Sequence, residues 1–545
     1  MNEKKNESAV EPAFRGGRSR AGLGLLAVAA ILAVGLGLRG YYALTKTDFH
    51  VDEGFSAAIS NGTWAPGAEP APLGRWIDSG ELFSRVFSAS LAVSPEPPYG
   101  AIAKSTGMDV HPPLYYWALA FARKLVGANN FALAGYGLNA LLFAFSLLLA
   151  AFIARRALGG WGWAALAVAP FAFSAVSASL STFLRMYELL QFTCLLWVAS
   201  AAIAIDPPGA GPKRILSLGL GIAGLFAASL LGLLTQYYFL FFLAPAALAS
   251  AVVLARRRRF PTLLWGLLAT VAGLYLAYRV FPQMGLHLTG SYRAAQSVEN
   301  IAKTPLLAKA GNVAVYLGMV FRNLVSPAAI LAAVAAGIAG AIKARKDPKG
   351  EAVAAGKSQT ARVSVPVSMA IAVTVFTLTI IPISAPYLTA RYIGAFFPLY
   401  ALAFAGLAKR YVPGKSAMVV LGATGLLALF HAVLPGSALA FHEDYSQDNA
   451  PAYMSGSEPL IVMTTQDGSW KNMLPYINLK PGRPVFVAYG RAMADVSGEL
   501  RKIAATAPSG KAVALVDDLF RLQPKEGKIG YYGFFNVYAV ERDQP

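Results

Sequence analysis

Residues 23–57 read LGLLAVAAILAVGLGLRGYYALTKTDFHVDEGFSA, and this stretch decides the fold. Its first part, Leu23 to Leu44, is an apolar run long enough to cross the hydrocarbon core as a helix. Lys4, Lys5, Arg15, Arg18 and Arg20 precede it. The run is too long for a signal-peptide core and no clear cleavage site follows, so it reads as a first span with a cytoplasmic N-terminus. Immediately past the span come Asp48, His50, Asp52 and Glu53, groups that a bilayer excludes.

The remainder of the 545 residues repeats this alternation, with 56% hydrophobic and only 14% charged residues and a mean hydropathy of +0.51. Soluble domains carry roughly a quarter charged residues. The net charge of +19 sits in short clusters between apolar blocks, which is membrane-flanking charge rather than a nucleic-acid surface. One cysteine, Cys194, lies in an apolar segment; it excludes an internal disulfide and a cysteine-based metal site and reads as a small buried hydrophobe.

Further spans read at about 130–154, 161–180, 183–205, 215–234, 236–255, 261–282, 323–343, 365–385, 391–408 and 416–436. With about eleven spans, the clusters Arg155-Arg156, Lys213-Arg214, Arg256 to Arg259, Lys343 to Arg362, and Lys409-Arg410 with Lys415 all fall on the side of the basic N-terminus. A missed span would invert every cluster after it. The loop 45–129 and the tail 437–545 are then external.

The tail alternates strand-like pieces (459–465, 483–490, 511–518 and 531–542) with helix-like ones (469–477 and 494–507), the order of a small α/β domain. It has no Gly-rich phosphate loop. Within the first loop, Leu114 to Val126 is apolar but too short to span and follows His111-Pro112-Pro113, a helix start. It reads as an interfacial helix with Tyr115, Tyr116 and Trp117 at headgroup depth. Asn61-Gly62-Thr63 has the pattern of a glycosylation acceptor.

The external edge gathers the residues that can carry chemistry. Asp52 and Glu53 are adjacent and point in different directions, so one suits a general base and the other an anchor for the loop or a metal. In STFLRMYELLQ, at the start of the fourth span, Arg185 and Glu188 are spaced to pair on a helix, with Tyr187 at the same level. Gln236, Tyr237 and Tyr238 follow at the next external turn. Arg391 and Tyr392 open APYLTARYIGAFFPLY's span, and a cation on the outer surface calls for an anionic partner, a carboxylate or a lipid-borne phosphate. The external loop after the seventh span holds His287, Tyr292 and Arg293 without a pattern. No His-x-x-x-His or cysteine metal motif accompanies these residues, and no Ser-His-Asp arrangement is legible.

VDEGFSA after the first span, HPPLYYWALAFARKLVG in the first loop, LRMYELL, TQYYFLFF and TARYIGAFFPLY occur in this order with the right sidedness over roughly 400 residues. That order resembles the GT-C membrane glycosyltransferases that use polyprenyl-phosphate sugars, most closely the protein O-mannosyltransferase and aminoarabinose-transferase branch. The resemblance implies a mainly α polytopic fold, a GT-C catalytic domain over 22–436 after a cytoplasmic tail 1–21, and a separate external α/β domain over 437–545. It implies Asp52 as catalytic base, with Glu53 supporting or sharing that role. It implies Arg391, Arg185 and His111 on the donor phosphate, His111 standing where aminoarabinose transferases commonly have lysine, and Tyr187, Tyr237 and Tyr392 around the sugar or lipid. Inversion at the anomeric carbon follows from attack opposite the phosphate. No cofactor is required, although oligosaccharyltransferase relatives use a divalent metal. The expected partners are a polyprenyl-phosphate-linked sugar and a lipid, glycan or protein acceptor at the outer face of a bacterial plasma membrane. A lipid-linked-sugar transporter or flippase is the rival from another class, but such proteins place ionisable groups near the midplane. A non-catalytic assembly factor is the third reading.

Overall fold

Apolar blocks of about twenty residues close their backbone hydrogen bonds as helices, since hydrocarbon offers no other partner. The computed structural model describes residues 11–46, 50–62, 74–82, 98–108, 110–127, 130–290, 292–324, 364–385, 388–412, 414–434, 457–464, 482–489, 496–517, 528–532 and 535–541. In chain order, α1 (Glu11–Thr45) leads to α2 (Val51–Ser60), β1 (Trp76–Asp78), α3 (Tyr99–Met108) and α4 (Leu114–Val126). Then come α5 (Phe131–Leu158), α6 (Trp161–Phe173), α7 (Ala175–Thr182), α8 (Tyr187–Ile205), α9 (Pro212–Thr235), α10 (Phe239–Arg256) and α11 (Phe260–Val280). They are followed by α12 (Met284–Thr289), α13 (Tyr292–Lys303), α14 (Leu306–Asn323), α15 (Val365–Ser384), α16 (Arg391–Gly394), α17 (Phe397–Tyr411) and α18 (Gly414–Val433). The tail contributes β2 (Leu460–Thr464), β3 (Pro484–Tyr489), α19 (Val496–Ala505), β4 (Lys511–Asp517), β5 (Lys528–Tyr532) and β6 (Phe535–Glu541).

Eight described helices are long and apolar enough to cross a membrane, and two bent pairs bring the number to ten if each is one span. The chain is an integral membrane protein, mainly α, with one small sheet. Three boundaries depart from the sequence expectation. The third block is broken at Ser174 into α6 and α7, which meet at 61°. The fourth helix begins only at Tyr187, leaving 183–186 non-helical. The block at 391–408 splits into α16 and α17, with Pro398 opening the second piece because proline suits a first turn. Most of the expected span 323–343 lies outside the described residues. The stretch before it, expected as a loop, contains α12 to α14.

The basic turns gather at one end of the bundle. Arg257 Nη1 donates to Asp206 Oδ1 at 2.7 Å, Arg156 donates to the Asp206 carbonyl, Arg259 to that of Ile205, and Lys409 to that of Leu158. Cations placed on helix C-termini complement the backbone dipole. α8 runs from this end back to Tyr187, so Arg185 and its neighbours lie at the opposite end. Glycines let the helices between approach backbone to backbone: a Cβ on Gly221 of α9 would sit 2.7 Å from the Ala204 nitrogen of α8, and one on Gly273 of α11 would strike the Phe226 carbonyl.

The tail builds a six-stranded sheet of order β1-β3-β2-β4-β6-β5, parallel at its centre and antiparallel at both sides. Side chains alternate faces along a strand. Ile461, Met463, Ala514 and Val516 pack with Val496, Leu500 and Ile503 of α19 on one face. Leu460, Val462, Val485, Val487, Val513, Leu515 and Val537 face the other way, into one core with Ala57, Ala58 and Ile59 of α2 and Tyr115, Tyr116 and Leu119 of α4. Burial on both faces explains why the central strands are continuous apolar runs. The expected strand 531–542 is a hairpin, β5–β6, and the expected helix 469–477 lies outside the described residues. The edge strand β1 comes from the segment between α2 and α3: Trp76, Ile77 and Asp78 pair with Phe486, Val485 and Pro484. Loop and tail, read as separate pieces, share one sheet.

α4 has the predicted bounds, and Tyr115 and Tyr116 are fully buried within the protein. Asn61 is also buried and its side chain accepts from Arg123.

Candidate active site

The site begins with how the chain turns after α1. His50 caps α2: its Nδ1 accepts from the Asp52 amide at 3.1 Å, and its own amide donates to Glu53 Oε2 at 2.7 Å, a reciprocal capping box. Lys46 Nζ reaches both Glu53 oxygens, at 2.6 and 2.7 Å, and the Thr182 carbonyl at 2.7 Å. The Leu184 amide donates to Glu53 Oε1 at 2.9 Å. Both side chains of the Lys46–Glu53 pair are wholly inaccessible. The Glu53 carboxylate is thus taken up by two cationic and two backbone bonds, which fasten α2 to the break between α7 and α8.

Asp52, one residue earlier, turns the other way and keeps 24% of its side chain exposed. Its Oδ2 lies 2.5 Å from Arg391 Nη1 and 3.8 Å from His50 Nδ1. Arg185, leaving the 183–186 break, passes beneath. Its Nη1 donates to the Asp52 carbonyl at 3.2 Å, to Tyr116 Oη at 3.1 Å and to Ser56 Oγ at 3.4 Å. Its Nη2 stands 3.4 Å from both ring nitrogens of His111. Burial alone would raise the Asp52 carboxyl, but the Arg185 and Arg391 guanidiniums hold it well below the usual carboxylate range. Burial lowers the His50 imidazole below its ordinary value, against the pull of Asp52, and so favours the neutral ring that its capping bond requires.

Arg391 is set in place by α16. Gly394 lets that short helix lie on α7, where a Cβ would sit 2.6 Å from Leu180 Cδ1. The guanidinium carbon stands 5.8 Å from the Phe183 ring and 5.5 Å from the Tyr392 ring. Arg391 Nε is buried with no hydrogen-bond partner among the described residues. Phe183 is the aromatic hub: His50 meets it edge-on at 5.4 Å and Tyr187 stacks on it at 6.0 Å. Among the described residues, Arg391 pairs with the Asp52 carboxylate and Arg185 lies close enough to lower it, so two guanidiniums line this site. Among the described residues, no three His, Cys, Asp or Glu side chains are grouped to hold a metal.

Comparison with family models and with curated protein sequences gives no match. Solved structures do resemble the chain. The aminoarabinose transferase ArnT from Cupriavidus metallidurans bound to undecaprenyl phosphate aligns at TM-score 0.49 and 13% identity, over 95% of this chain and 97% of that one. Its apo state aligns at TM-score 0.48 and 14% identity, over 94% and 97%. The archaeal oligosaccharyltransferase AglB from Archaeoglobus fulgidus, in complex with an inhibitory peptide and a dolichol-phosphate, aligns at TM-score 0.43 and 14% identity, over 90% and 69%. The roles of the residues here rest on the local geometry.

That geometry gathers Asp52, Arg185, Arg391, His111, Tyr187 and Tyr392 and redistributes the others. Glu53 sits behind Asp52 as the loop's anchor. The spacing of Arg185 and Glu188 predicts a pair, but Arg185 precedes the helix and turns to Asp52. Glu188 instead accepts from Ser181 Oγ at 2.5 Å and Gln191 Nε2 at 3.0 Å, and Ser181 Oγ in turn accepts from Arg39 Nε at 2.8 Å. Tyr237 shares a hydrogen bond with His287 Nδ1 at 2.8 Å, while His287 Nε2 lies 3.1 Å from the Gly107 carbonyl, so this knot ties α3 to α12. Its neighbour Tyr238 is the one whose ring meets Tyr392, at 5.3 Å. Lys46, Tyr116 and Ser56 were not legible as site residues, and Tyr238 was noted at its turn but not assigned to the sugar or lipid. Asp48 lies outside the described residues.

Proposed function

We propose that the chain is an inverting glycosyltransferase that moves a sugar from a polyprenyl-phosphate donor to a hydroxyl-bearing lipid, glycan or protein at the outer membrane face. One observation carries this reading: at one end of a membrane bundle Arg391 ion-pairs with the partly exposed Asp52 carboxylate, while Arg185, from a separate element, donates to the main-chain carbonyl of the same residue and lies close enough to hold its carboxyl low. A phosphate diester brought by the membrane supplies an anion that two guanidiniums can bind, and arginine binds phosphate in a fork. The motif order noted in the sequence supports the same reading.

In the proposed reaction Asp52 accepts the acceptor's hydroxyl proton. The acceptor oxygen attacks the anomeric carbon opposite the phosphate, and the bond from that carbon to the phosphate oxygen breaks with its electron pair leaving on the phosphate. Arg391 and Arg185 stabilise the charge developing there. A tightly paired carboxylate is a poor base. Donor phosphate competes for Arg391, so its arrival frees Asp52 and restores basicity when the sugar is in place. Glu53 holds α2, and Tyr187, Tyr238 and Tyr392 wall the pocket.

The test compares glycolipids and glycoproteins by mass spectrometry in cells producing the chain or its Asp52→Asn variant. A glycan present with the first and missing with the second is expected. Full transfer by Asp52→Asn, inserted at the same level, removes Asp52 from the mechanism.

A further inference from the structure

Arg185 leaves from the buried turn between α7 and α8, and buried backbone groups there need protein partners. Thr182 O is met by Lys46, and the Leu184 amide by Glu53. The remaining clamp is Asn139, a fully buried amide in the mostly apolar helix α5. Its Nδ2 donates to the Ser181 carbonyl and to the Phe183 carbonyl, each at 3.1 Å, so both hydrogens land on opposite sides of the start of the break. Its Oδ1 accepts from Tyr115 Oη at 3.3 Å, which fixes which end of the amide faces the carbonyls.

We infer that Asn139 is a positioning residue for Arg185, holding the 183–186 turn so that the guanidinium points at the phosphate site. The inference rests on the reading of Arg185 as a donor-phosphate ligand. The chemistry is selective. An amide supplies two donors, whereas a carboxylate of the same shape turns lone pairs toward both carbonyls, and leucine supplies no donor at all. Neither substitution touches the Asp52–Arg391 pair.

The experiment uses the full chain in lipid nanodiscs with undecaprenyl phosphate as probe. It reads the Kd, and the amide hydrogen exchange of a peptide covering 181–186. Asn139→Asp is expected to speed exchange in that peptide while α9 and α11 keep their protection, and to weaken the probe about 10-fold, about 1.4 kcal/mol. Arg185→Ala is expected to weaken it to a similar degree, and the double variant to be no weaker than Arg185→Ala alone, because one residue acts through the other. Tyr115→Phe, which leaves Asn139 in place but loosens its orientation, is the milder variant, with an expected weakening of about 3-fold. Unchanged exchange at 181–186 in both Asn139→Asp and Tyr115→Phe overturns the inference. Full additivity in the double variant, about 100-fold, overturns it too. If exchange rises but Arg185→Ala itself leaves the Kd unchanged, the phosphate reading of Arg185 is what fails, and with it the purpose assigned to Asn139.

Discussion

Two adjacent carboxylates should give opposite phenotypes when each loses its charge. Glu53→Gln removes the anion from a pair with no solvent access and sets a neutral amide beside the buried Lys46 ammonium. Breaking a buried pair from one side costs about 3–5 kcal/mol. The glutamine carbonyl still accepts one of the two backbone bonds from His50 and Leu184, so the lower end, about 3 kcal/mol, is expected. That is a shift of roughly two powers of ten in the folded-to-unfolded ratio. Asp52→Asn breaks a pair that water already reaches, and a cost within about 1 kcal/mol is expected. The assay is unfolding in mixed micelles followed by tryptophan fluorescence, alongside sugar transfer in membranes. Glu53→Gln should be fragile but, where folded, active; Asp52→Asn should be as stable as the parent but inactive. Lys46→Met with Glu53→Gln should recover part of the loss, since the buried ammonium is then removed together with its carboxylate. A Glu53→Gln protein within about 0.5 kcal/mol of the parent, with transfer abolished, would refute the division into anchor and base.

Two further outcomes follow from the same geometry. Arg391→Ala should raise the donor KM about 30-fold while leaving the acceptor KM within about 3-fold, the loss of one or two charge-assisted bonds; a change confined to the acceptor KM would contradict a phosphate role. Because the folded protein holds His50 below its ordinary value, the unfolded chain binds the extra proton first, so stability declines as pH falls from about 6.5 toward the folded value. His50→Asn keeps a capping side chain without that titration; its stability should vary less between pH 7 and pH 5 than the parent's, and an unchanged pH response would remove His50 as the source.

The motif residues were legible because they are chemically costly where they stand. A carboxylate after a span, or an arginine at a span's end, needs a partner, and Asp52 pairs with Arg391 while Arg185 donates to the Asp52 main-chain carbonyl. The errors came from reading spacing without knowing where the helices break. Arg185 and Glu188 pair only on a continuous helix, and the chain is non-helical until Tyr187. Tyr237 and Tyr238 are indistinguishable at an aromatic interface, and rotation about the start of α10 assigns one to His287 and the other to Tyr392. Asn139 did leave a signal, as a polar residue within an apolar helix, but nothing local indicates what it holds.

Length and hydropathy by themselves determined that the chain crosses a membrane repeatedly, because a span answers to a solvent property rather than to any particular neighbour. The α/β character of the tail was likewise written in local periodicity. Only the tertiary structure decided that Trp76–Asp78 joins the tail's sheet, that the sheet backs the helix bearing Asp52, and that Glu53 faces Lys46 while Asp52 faces Arg391. Each of these depends on contacts between segments far apart in sequence. On a helix, adjacent residues diverge by about 100°, and what each then meets is set by the packing of other elements.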